Sequence, residues 1–262
     1  MILPKHFLRF FCLASLLSPG ILSADPIEFN GVKFWIQEVD PGKAQLELHL
    51  PGKANEPNTF TKVRDRVEKE GRRLVFATNS GIFEGTFLPT GLHVAKGVAV
   101  TDLNTEDFKK ESEGQLTPNF FLKPNGVFSI TRDGKAAVQE TSAFARRWPD
   151  PGIVLATQSG PLLVRENQIH PVLGINSTSI RFRNGVGVRE DGTVVFACSV
   201  LDPKVGMSNL YNFAELFRTR LKCPNALYLD GDISYIYIDG KTPPLEDTNW
   251  FAGIFTLTTP AP

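Results

Sequence analysis

The chain has 262 residues and a mass of 29.0 kDa, its 28 Lys and Arg residues balance 28 Asp and Glu residues, and 42% of its residues are hydrophobic. This composition excludes a disordered chain, a collagen, a coiled coil and a disulfide-dense miniprotein. The balanced charge gives no electrostatic reason to expect nucleic acid or an anionic membrane surface as a partner, because both require a basic face.

The first 24 residues have the three-part pattern of a secretory signal peptide. Lys5 and Arg9 precede an apolar run over residues 10–22, and the small residues Ser23 and Ala24 offer a cleavage site. The run is shorter than the roughly 20 apolar residues that a membrane-spanning helix needs. We therefore expect a signal peptide over residues 1–24, a single domain over residues 25–262, and a secreted or periplasmic protein with no stable membrane insertion after signal removal.

From Ile27 onward, short apolar stretches alternate with Gly and Pro, which is typical of a chain with many strands. The predicted strands are residues 32–39, 44–50, 74–78, 92–94, 120–122, 127–131, 154–158, 162–165, 179–183, 185–189, 194–199, 226–229, 235–238 and 254–258.

Two segments have helical periodicity. The first, residues 59–70, is amphipathic and ends at Gly71, and the second, residues 209–222, carries an apolar stripe and ends before Pro224. Two further segments have a weaker helical pattern: residues 105–111 and 142–147. The sequence therefore predicts an α+β fold, with one domain of strand-rich mixed sheets and at least two packed helices.

Signal removal would leave two cysteines, Cys198 and Cys223. An even pair in an oxidising compartment is compatible with a disulfide bond and equally with two buried free thiols. The chain lacks the CxxC and HExxH patterns of zinc sites, and its four histidines are scattered.

Two loops contain more Gly and polar residues than their flanking strands require. They cover residues 77–91 and 157–161, and loops of this kind present backbone amides and polar side chains to ligands. In isolation, a plain turn is the better interpretation of each loop. Their candidate binding residues are Asn79, Gly81, Glu84, Gly91, Ser159 and Gly160.

Two further segments carry charged side chains at strand ends. Arg181 and Arg183 share one side of a predicted strand, and two guanidinium groups on one face suit an oxyanion such as phosphate. For Arg181, a solvated strand face or a salt bridge is the better interpretation. Asp230 and Asp232 follow an apolar strand, and their carboxylates can share acid and base roles or bind a divalent cation.

In this order, the four segments resemble the phosphodiester glycosidase family, and the likeness extends from about Phe34 to Leu257. The motifs that carry it are Ala77-Thr78-Asn79 with Gly81 and Phe83, Pro89 with Gly91, Phe121-Leu122-Lys123-Pro124-Asn125-Gly126, Ala156-Thr157-Gln158-Ser159-Gly160-Pro161, Arg183-Asn184-Gly185-Val186-Gly187, and Cys223-Pro224-Asn225-Ala226-Leu227-Tyr228-Leu229-Asp230-Gly231. Each motif is weak alone, but six in register form a specific signal.

The resemblance implies hydrolysis of a sugar that is linked through its anomeric carbon to a phosphodiester, in a small molecule or an envelope polymer. Phosphate is a good leaving group, so such a site chiefly holds the phosphate and stabilises a cationic sugar carbon. The resemblance assigns Arg183 to the phosphate, Asp230 to the developing charge or an attacking water, and Asn79 and Ser234 to orientation. It further implies an anion cradle of backbone amides and substrate contacts from Gly81, Glu84, Gly91, Ser159, Gly160, Asn184, Gly231 and Asp232.

The chain departs from the family pattern in ways that leave two other functions open. It has Asp232 where the family has a Gly-rich turn, and Asn212 where the family usually has a Glu. Asn212 favours a binding protein that kept the phosphate cradle without the chemistry. A metal-dependent phosphodiesterase would instead hold Mg²⁺ or Ca²⁺ on Asp230 and Asp232, with Asp202 as a further candidate ligand. The sequence points to a cofactor only in this third case.

Overall fold

The computed structural model describes residues 25–51, 56–83, 85, 87–247 and 249–261. The predicted signal peptide, residues 1–24, and the candidate residue Glu84 lie outside the described residues. In the part of the chain that is described, no helix is long and apolar enough to cross a membrane.

Sixteen strands and three α-helices make up the described chain. The strands are β1 (Ile27–Phe29), β2 (Val32–Val39), β3 (Glu47–His49), β4 (Arg72–Asn79), β5 (His93–Ala95), β6 (Val98–Thr101), β7 (Gly126–Thr131), β8 (Ala136–Glu140), β9 (Ile153–Ser159), β10 (Leu162–Arg165), β11 (Gln168–Ile169), β12 (Asn184–Val188), β13 (Val194–Ser199), β14 (Asn225–Asp230), β15 (Ile236–Ile238) and β16 (Ile254–Pro260). The helices are α1 (Phe60–Lys69), α2 (Thr141–Ala145) and α3 (Leu210–Glu215), and α3 continues into a π-helical turn (Leu216–Arg220).

The strands form three sheets. A seven-stranded sheet has the order β1-β2-β13-β12-β14-β10-β11, a four-stranded sheet has the order β15-β4-β16-β3, and a five-stranded sheet has the order β6-β5-β9-β7-β8. The predicted α+β class, rich in strands and with packed helices, is confirmed. The sheets differ from the expected mixed type, because all pairings between described strands are antiparallel. The connection from β13 through α3 to β14 passes over one strand position in the sheet. Strand β14 therefore lies beside β12 and not beside β13, to which it runs parallel.

The seven-stranded sheet has a separate hydrophobic core on each face. Along β14, Leu227 and Leu229 point toward the two smaller sheets, whereas Ala226 and Tyr228 point toward α3. Because both faces are buried, residues 226–229 of β14 and residues 185–188 of the neighbouring β12 are all aliphatic, aromatic or glycine. The sheet therefore holds residues at the end of β14 in a rigid frame.

Helix α1 forms because its sequence supplies both a cap and an apolar face. The Thr59 hydroxyl accepts a hydrogen bond from the Lys62 amide and so caps the first turn. Phe60, Val63 and Val67 recur at helical spacing and are buried against the four-stranded sheet. The prediction of a helix over residues 59–70 is confirmed.

Three predicted elements take another form. Residues 105–111 form no helix, because side chains of Asn104 and Gln115 accept from the backbone amides of Glu106 and Glu111. Residues 120 and 121 lie in a short 3₁₀ turn (Asn119–Phe121) that Leu122 follows, and residues 179–183 contribute a single bridge between Arg181 and Ser208.

The sequence pattern does not predict four of the strands, namely β1, β6, β8 and β11. All four lie at sheet edges, where a strand pairs on one side only and needs less apolar alternation to be held in place.

The two cysteines are free buried thiols, which decides between the two alternatives. Cys198 belongs to the core between the sheets, and Cys223 belongs to the core beneath α3 on the other face. Burial raises the pKa of both thiols, and that of Cys223 reaches about 12.

Candidate functional site

Arg183 immediately precedes β12 and is 2% exposed. Its Nε donates to the Ser208 carbonyl oxygen at 2.9 Å, its Nη2 to the Ser179 carbonyl oxygen at 2.7 Å, and its Nη1 to the Tyr228 hydroxyl at 3.2 Å. Across the described residues, no carboxylate forms a salt bridge with this guanidinium group. A buried cation held by neutral acceptors alone favours an anionic ligand, because burying an unpaired charge is costly.

Tyr228 lies beside Arg183 and has a role that the sequence did not indicate. Its ring centroid is 5.7 Å from the Arg183 guanidinium carbon, and its side chain is 1% exposed. Burial raises the pKa of its hydroxyl, so the phenol stays neutral and accepts the Arg183 hydrogen bond. Tyr228 belongs to the last of the six sequence motifs, but nothing in its spacing distinguished it from a core tyrosine.

Asp230 is the last residue of β14 and is half-buried. Burial raises the pKa of its carboxyl group to about 7. The hydrogen bond from the Gly231 amide acts to lower this pKa, and the nearby Asp232 carboxylate raises it by a smaller amount. That amide donates to Asp230 Oδ1 at 2.6 Å. Ser234 fixes the turn, because its hydroxyl donates to the Asp230 carbonyl oxygen at 3.1 Å and its amide donates to the Gly231 carbonyl oxygen at 2.7 Å.

Arg183 and Asp230 line one open cleft of about 400 Å³, together with Tyr228. At its rim, Arg181 Nε lies 3.3 Å from Asp232 Oδ2, and both side chains are largely exposed. The salt bridge that the sequence favoured for Arg181 is therefore present. The cleft thus combines a buried guanidinium group, a carboxyl group that titrates near neutrality, and an exposed ion pair. Its lining also includes Asn119, Ile82, Gly231 and Ile233.

Asn79 and Asn184 lie behind the cleft, on facing sheets. Asn184 Nδ2 donates to Asn79 Oδ1 at 2.8 Å and to the Asn79 carbonyl oxygen at 3.0 Å. Asn184 is directly opposite Asp230 in the pairing of β12 with β14. The register of this pairing shifts between Asn184 and Gly185, so the bonded asparagine pair and the Asp230 end of β14 form one cluster through the backbone.

The other described candidates from the two loops, Gly81, Gly91, Ser159 and Gly160, are buried and lie outside the cleft lining. Ser159 Oγ donates to the Leu229 carbonyl oxygen at 3.2 Å and accepts from the Ile82 amide at 3.3 Å. The Gly81 amide donates to Thr157 Oγ1 at 3.3 Å. Two glycines are enclosed by protein atoms where a Cβ would be: Gly91 by Gln158 at 2.4 Å and Gly160 by Asn125 and Phe120 at 2.7 Å.

A buried histidine network, which the sequence did not indicate, supports the loop that follows β4. His93 Nε2 lies 2.8 Å from Thr157 Oγ1 and 3.0 Å from Ser80 Oγ. Burial lowers the pKa of His93 to about 4, so the ring is neutral at physiological pH. The network therefore joins β4, β5 and β9 beneath the Asn79 segment.

Asp202 and Asn212, which the sequence suggested for a metal site and for a binding protein, lie outside the cleft lining, whereas Asp230 and Asp232 belong to it. Among the residues that the structure describes, no group of three or more His, Cys, Asp and Glu side chains could hold a metal ion. Asp202 belongs to a separate turn, where it accepts from the Lys204 amide. Asn212 lines a neighbouring depression, and its Oδ1 accepts from Asn30 Nδ2 at 2.7 Å.

The chain matches the sequence profile of the phosphodiester glycosidase family over residues 72–249. It is 29% identical over 239 residues to the uncharacterized protein YigE of Escherichia coli (strain K12), covering 90% of this chain and 87% of that protein.

Two solved structures share the fold. The catalytic domain of zebrafish N-acetylglucosamine-1-phosphodiester alpha-N-acetylglucosaminidase, auto-inhibited by its pro-peptide, superposes with a TM-score of 0.61 at 18% identity, covering 86% of this chain and 76% of that one. The second structure is a Burkholderia pseudomallei K96243 protein whose name proposes that it is exported. It superposes with a TM-score of 0.55 at 13% identity, covering 86% of this chain and 73% of that one.

Proposed function

This chain belongs to the phosphodiester glycosidase family, and on that premise we propose that it hydrolyses a sugar linked through its anomeric carbon to a phosphodiester. The observation that carries the proposal is the buried Arg183 guanidinium group, which has no carboxylate partner among the described residues and lines the same cleft as Asp230. A phosphodiester supplies the anion that this cation lacks.

Arg183 binds a non-bridging oxygen of the phosphate in this proposal. Its three recorded donor contacts leave two of its five N–H groups for the ligand. Contact with phosphate oxygens stabilises the leaving group as the bond between the anomeric carbon and the phosphate oxygen breaks. Gly231 and the exposed Arg181 lie on the same cleft wall and complete the anion site.

Asp230 acts on the water that attacks the anomeric carbon. With a pKa of about 7, a substantial fraction of the carboxyl group is ionised at neutral pH and accepts a proton from that water. The water oxygen bonds to the anomeric carbon, and the phosphate leaves as a monoester. Ser234 positions Asp230 through its hydrogen bond to the Asp230 carbonyl oxygen.

The substrate class extends to envelope polymers because the cleft is open and the chain carries a signal-peptide pattern over residues 1–24. The name of the Burkholderia protein also supports export. If the protein is exported, its periplasmic or secreted form begins at Asp25, and N-terminal sequencing tests this. A mature protein that retains residues 1–24 in the cytoplasm would contradict it.

Turnover by the purified protein tests the activity. The name of the zebrafish enzyme suggests the first substrate, the methyl phosphodiester of N-acetylglucosamine 1-phosphate, within a panel of hexose 1-phosphodiesters. We expect release of the free sugar and methyl phosphate, insensitive to EDTA. Arg183→Lys and Asp230→Asn should each reduce kcat/KM by at least about 100-fold.

The matched control is Asp133→Asn, an equivalent change at an exposed carboxylate paired with Lys135. It should leave turnover unchanged, and all variants should keep a cooperative thermal transition. Tight binding of the substrates without turnover would favour the binding protein, and loss of turnover with EDTA would favour the metal-dependent phosphodiesterase.

A further inference from the structure

Two buried carboxamides in the cluster behind the cleft have fixed orientations. Asn79 Oδ1 accepts from the Tyr235 backbone amide at 2.9 Å, and the Asn79 carbonyl oxygen accepts from Asn184 Nδ2 at 3.0 Å. A backbone amide only donates and a carbonyl oxygen only accepts, so exchanging O and N in either side chain would break a bond.

These orientations leave one donor and one acceptor unused. Asn79 Nδ2 and Asn184 Oδ1 are both buried, and neither has a hydrogen-bond partner among the described residues. The two side chains are bonded to each other through their other atoms, so the two unused atoms belong to one bonded asparagine pair. Leaving buried polar groups unpaired is costly, which indicates that both atoms bind a further polar group.

The chemistry of the pair specifies that group. A single atom that serves both must accept a hydrogen bond from Asn79 Nδ2 and donate one to Asn184 Oδ1, which the oxygen of a hydroxyl group does and an ionised phosphate oxygen or a hydrocarbon does not. The backbone brings the asparagine pair to the Asp230 end of β14, because Asn184 is paired with Asp230 next to a register shift between β12 and β14.

We propose that Asn79 Nδ2 and Asn184 Oδ1 form a hydroxyl-binding site beside Asp230. The identity of the hydroxyl rests on the proposed function: it belongs either to the water that attacks the anomeric carbon or to the ring of the bound sugar. In both cases the two asparagines, one from each sheet, set the position of an oxygen relative to the Asp230 carboxyl group.

Crystallography tests the site without requiring turnover. We expect an oxygen within about 3.2 Å of both atoms in the unliganded protein. In crystals soaked with N-acetylglucosamine, a water that persists identifies the attacking water, and a sugar oxygen that replaces it identifies a sugar hydroxyl. High-resolution maps in which neither atom contacts any solvent or ligand oxygen would overturn the proposal even if the enzyme is active.

Asn79→Asp provides a second test, because it replaces the unused Nδ2 by oxygen and keeps Oδ1 with its two bonds. If the bound oxygen is the attacking water, we expect kcat to fall at least tenfold at constant KM. If it is a sugar hydroxyl, we expect KM to rise at least tenfold. The control is Asn125→Asp, whose Nδ2 is already bonded to the Phe120 carbonyl oxygen at 2.8 Å. It should lower the melting temperature with kcat and KM unchanged. An Asn79→Asp enzyme with both constants within twofold of the wild type would contradict the site.

Discussion

Gly231 lies against the hydroxyl of Tyr228: a Cβ on residue 231 would be 2.6 Å from Tyr228 Oη. The same hydroxyl accepts a hydrogen bond from Arg183 Nη1. Because Gly231 also donates its amide to Asp230, this contact links the aspartate turn to the guanidinium group. The two charged groups of the cleft are thus positioned by one packed unit.

Gly231→Ala should therefore disturb the positions of both charged groups in the cleft. The added methyl group must displace either the Tyr228 hydroxyl or the turn that holds Asp230, and we expect kcat/KM to fall at least about tenfold. In a Tyr228→Phe background, the atom that the methyl group meets is gone, so the same substitution should cost less. Additive losses in the double-mutant cycle would contradict this coupling.

Arg181 and Asp232 should affect substrate binding in opposite directions. Their ion pair is exposed, so we expect each alanine variant to change the free energy of unfolding by less than about 1 kcal/mol. Asp232→Ala frees Arg181 for the phosphate and should lower KM, whereas Arg181→Ala should raise it. KM values that move in the same direction would show that this pair does not compete with the substrate.

The stability of the protein should decrease with rising pH through the titration of Asp230. Between its ordinary pKa of 3.8 and its folded-state pKa of about 7, the folded state holds a proton that the unfolded state has released. Asp230→Asn removes this titration. The free energy of unfolding of the variant minus that of the wild type should therefore be larger at pH 8 than at pH 4, by about 1–4 kcal/mol. Urea unfolding at the two pH values measures the difference, which a pH-independent gain would contradict.

His93 should have the opposite dependence on pH. Burial lowers its pKa from 6.5 to about 4, so the unfolded state binds the proton first and stability is lost as pH falls through this range. The loss is at most about 3 kcal/mol. His93→Gln cannot titrate, so it should be less stable at pH 7 but lose less stability on acidification. Equal slopes for variant and wild type between pH 6.5 and pH 4 would show that His93 titrates normally.

Cys198 and Cys223 should be unreactive in the folded protein. Both thiols are buried and their pKa values are raised, so the nucleophilic thiolate is scarce and inaccessible. We expect no labelling by a maleimide under native conditions and two labels after unfolding in urea without a reductant. A requirement for a reductant before labelling would instead reveal a disulfide bond.

The sequence by itself determined the α+β class, both amphipathic helices and the central strands, because these elements bury regular apolar patterns. Strand β2, for example, begins and ends at the residues that the pattern predicts. The four edge strands β1, β6, β8 and β11 were missed because a single neighbouring strand holds them through backbone hydrogen bonds, which place little demand on side chains. Because β13 and β14 run in the same direction, they could have been neighbours in the sheet. Only the tertiary structure shows that β12 lies between them.

The sequence also identified Arg183, Asp230 and Asn79 as candidates, since charged and amide side chains at strand ends carry chemistry. Only the tertiary structure decided that Arg183 is buried without a carboxylate, that Tyr228 bonds it, and that Asn79 is joined to Asn184 across 105 residues of chain. These relationships depend on contacts between remote strands and on how far each group is removed from water. Neither quantity is encoded in local spacing, so the candidate residues could be found from the sequence and their arrangement could not.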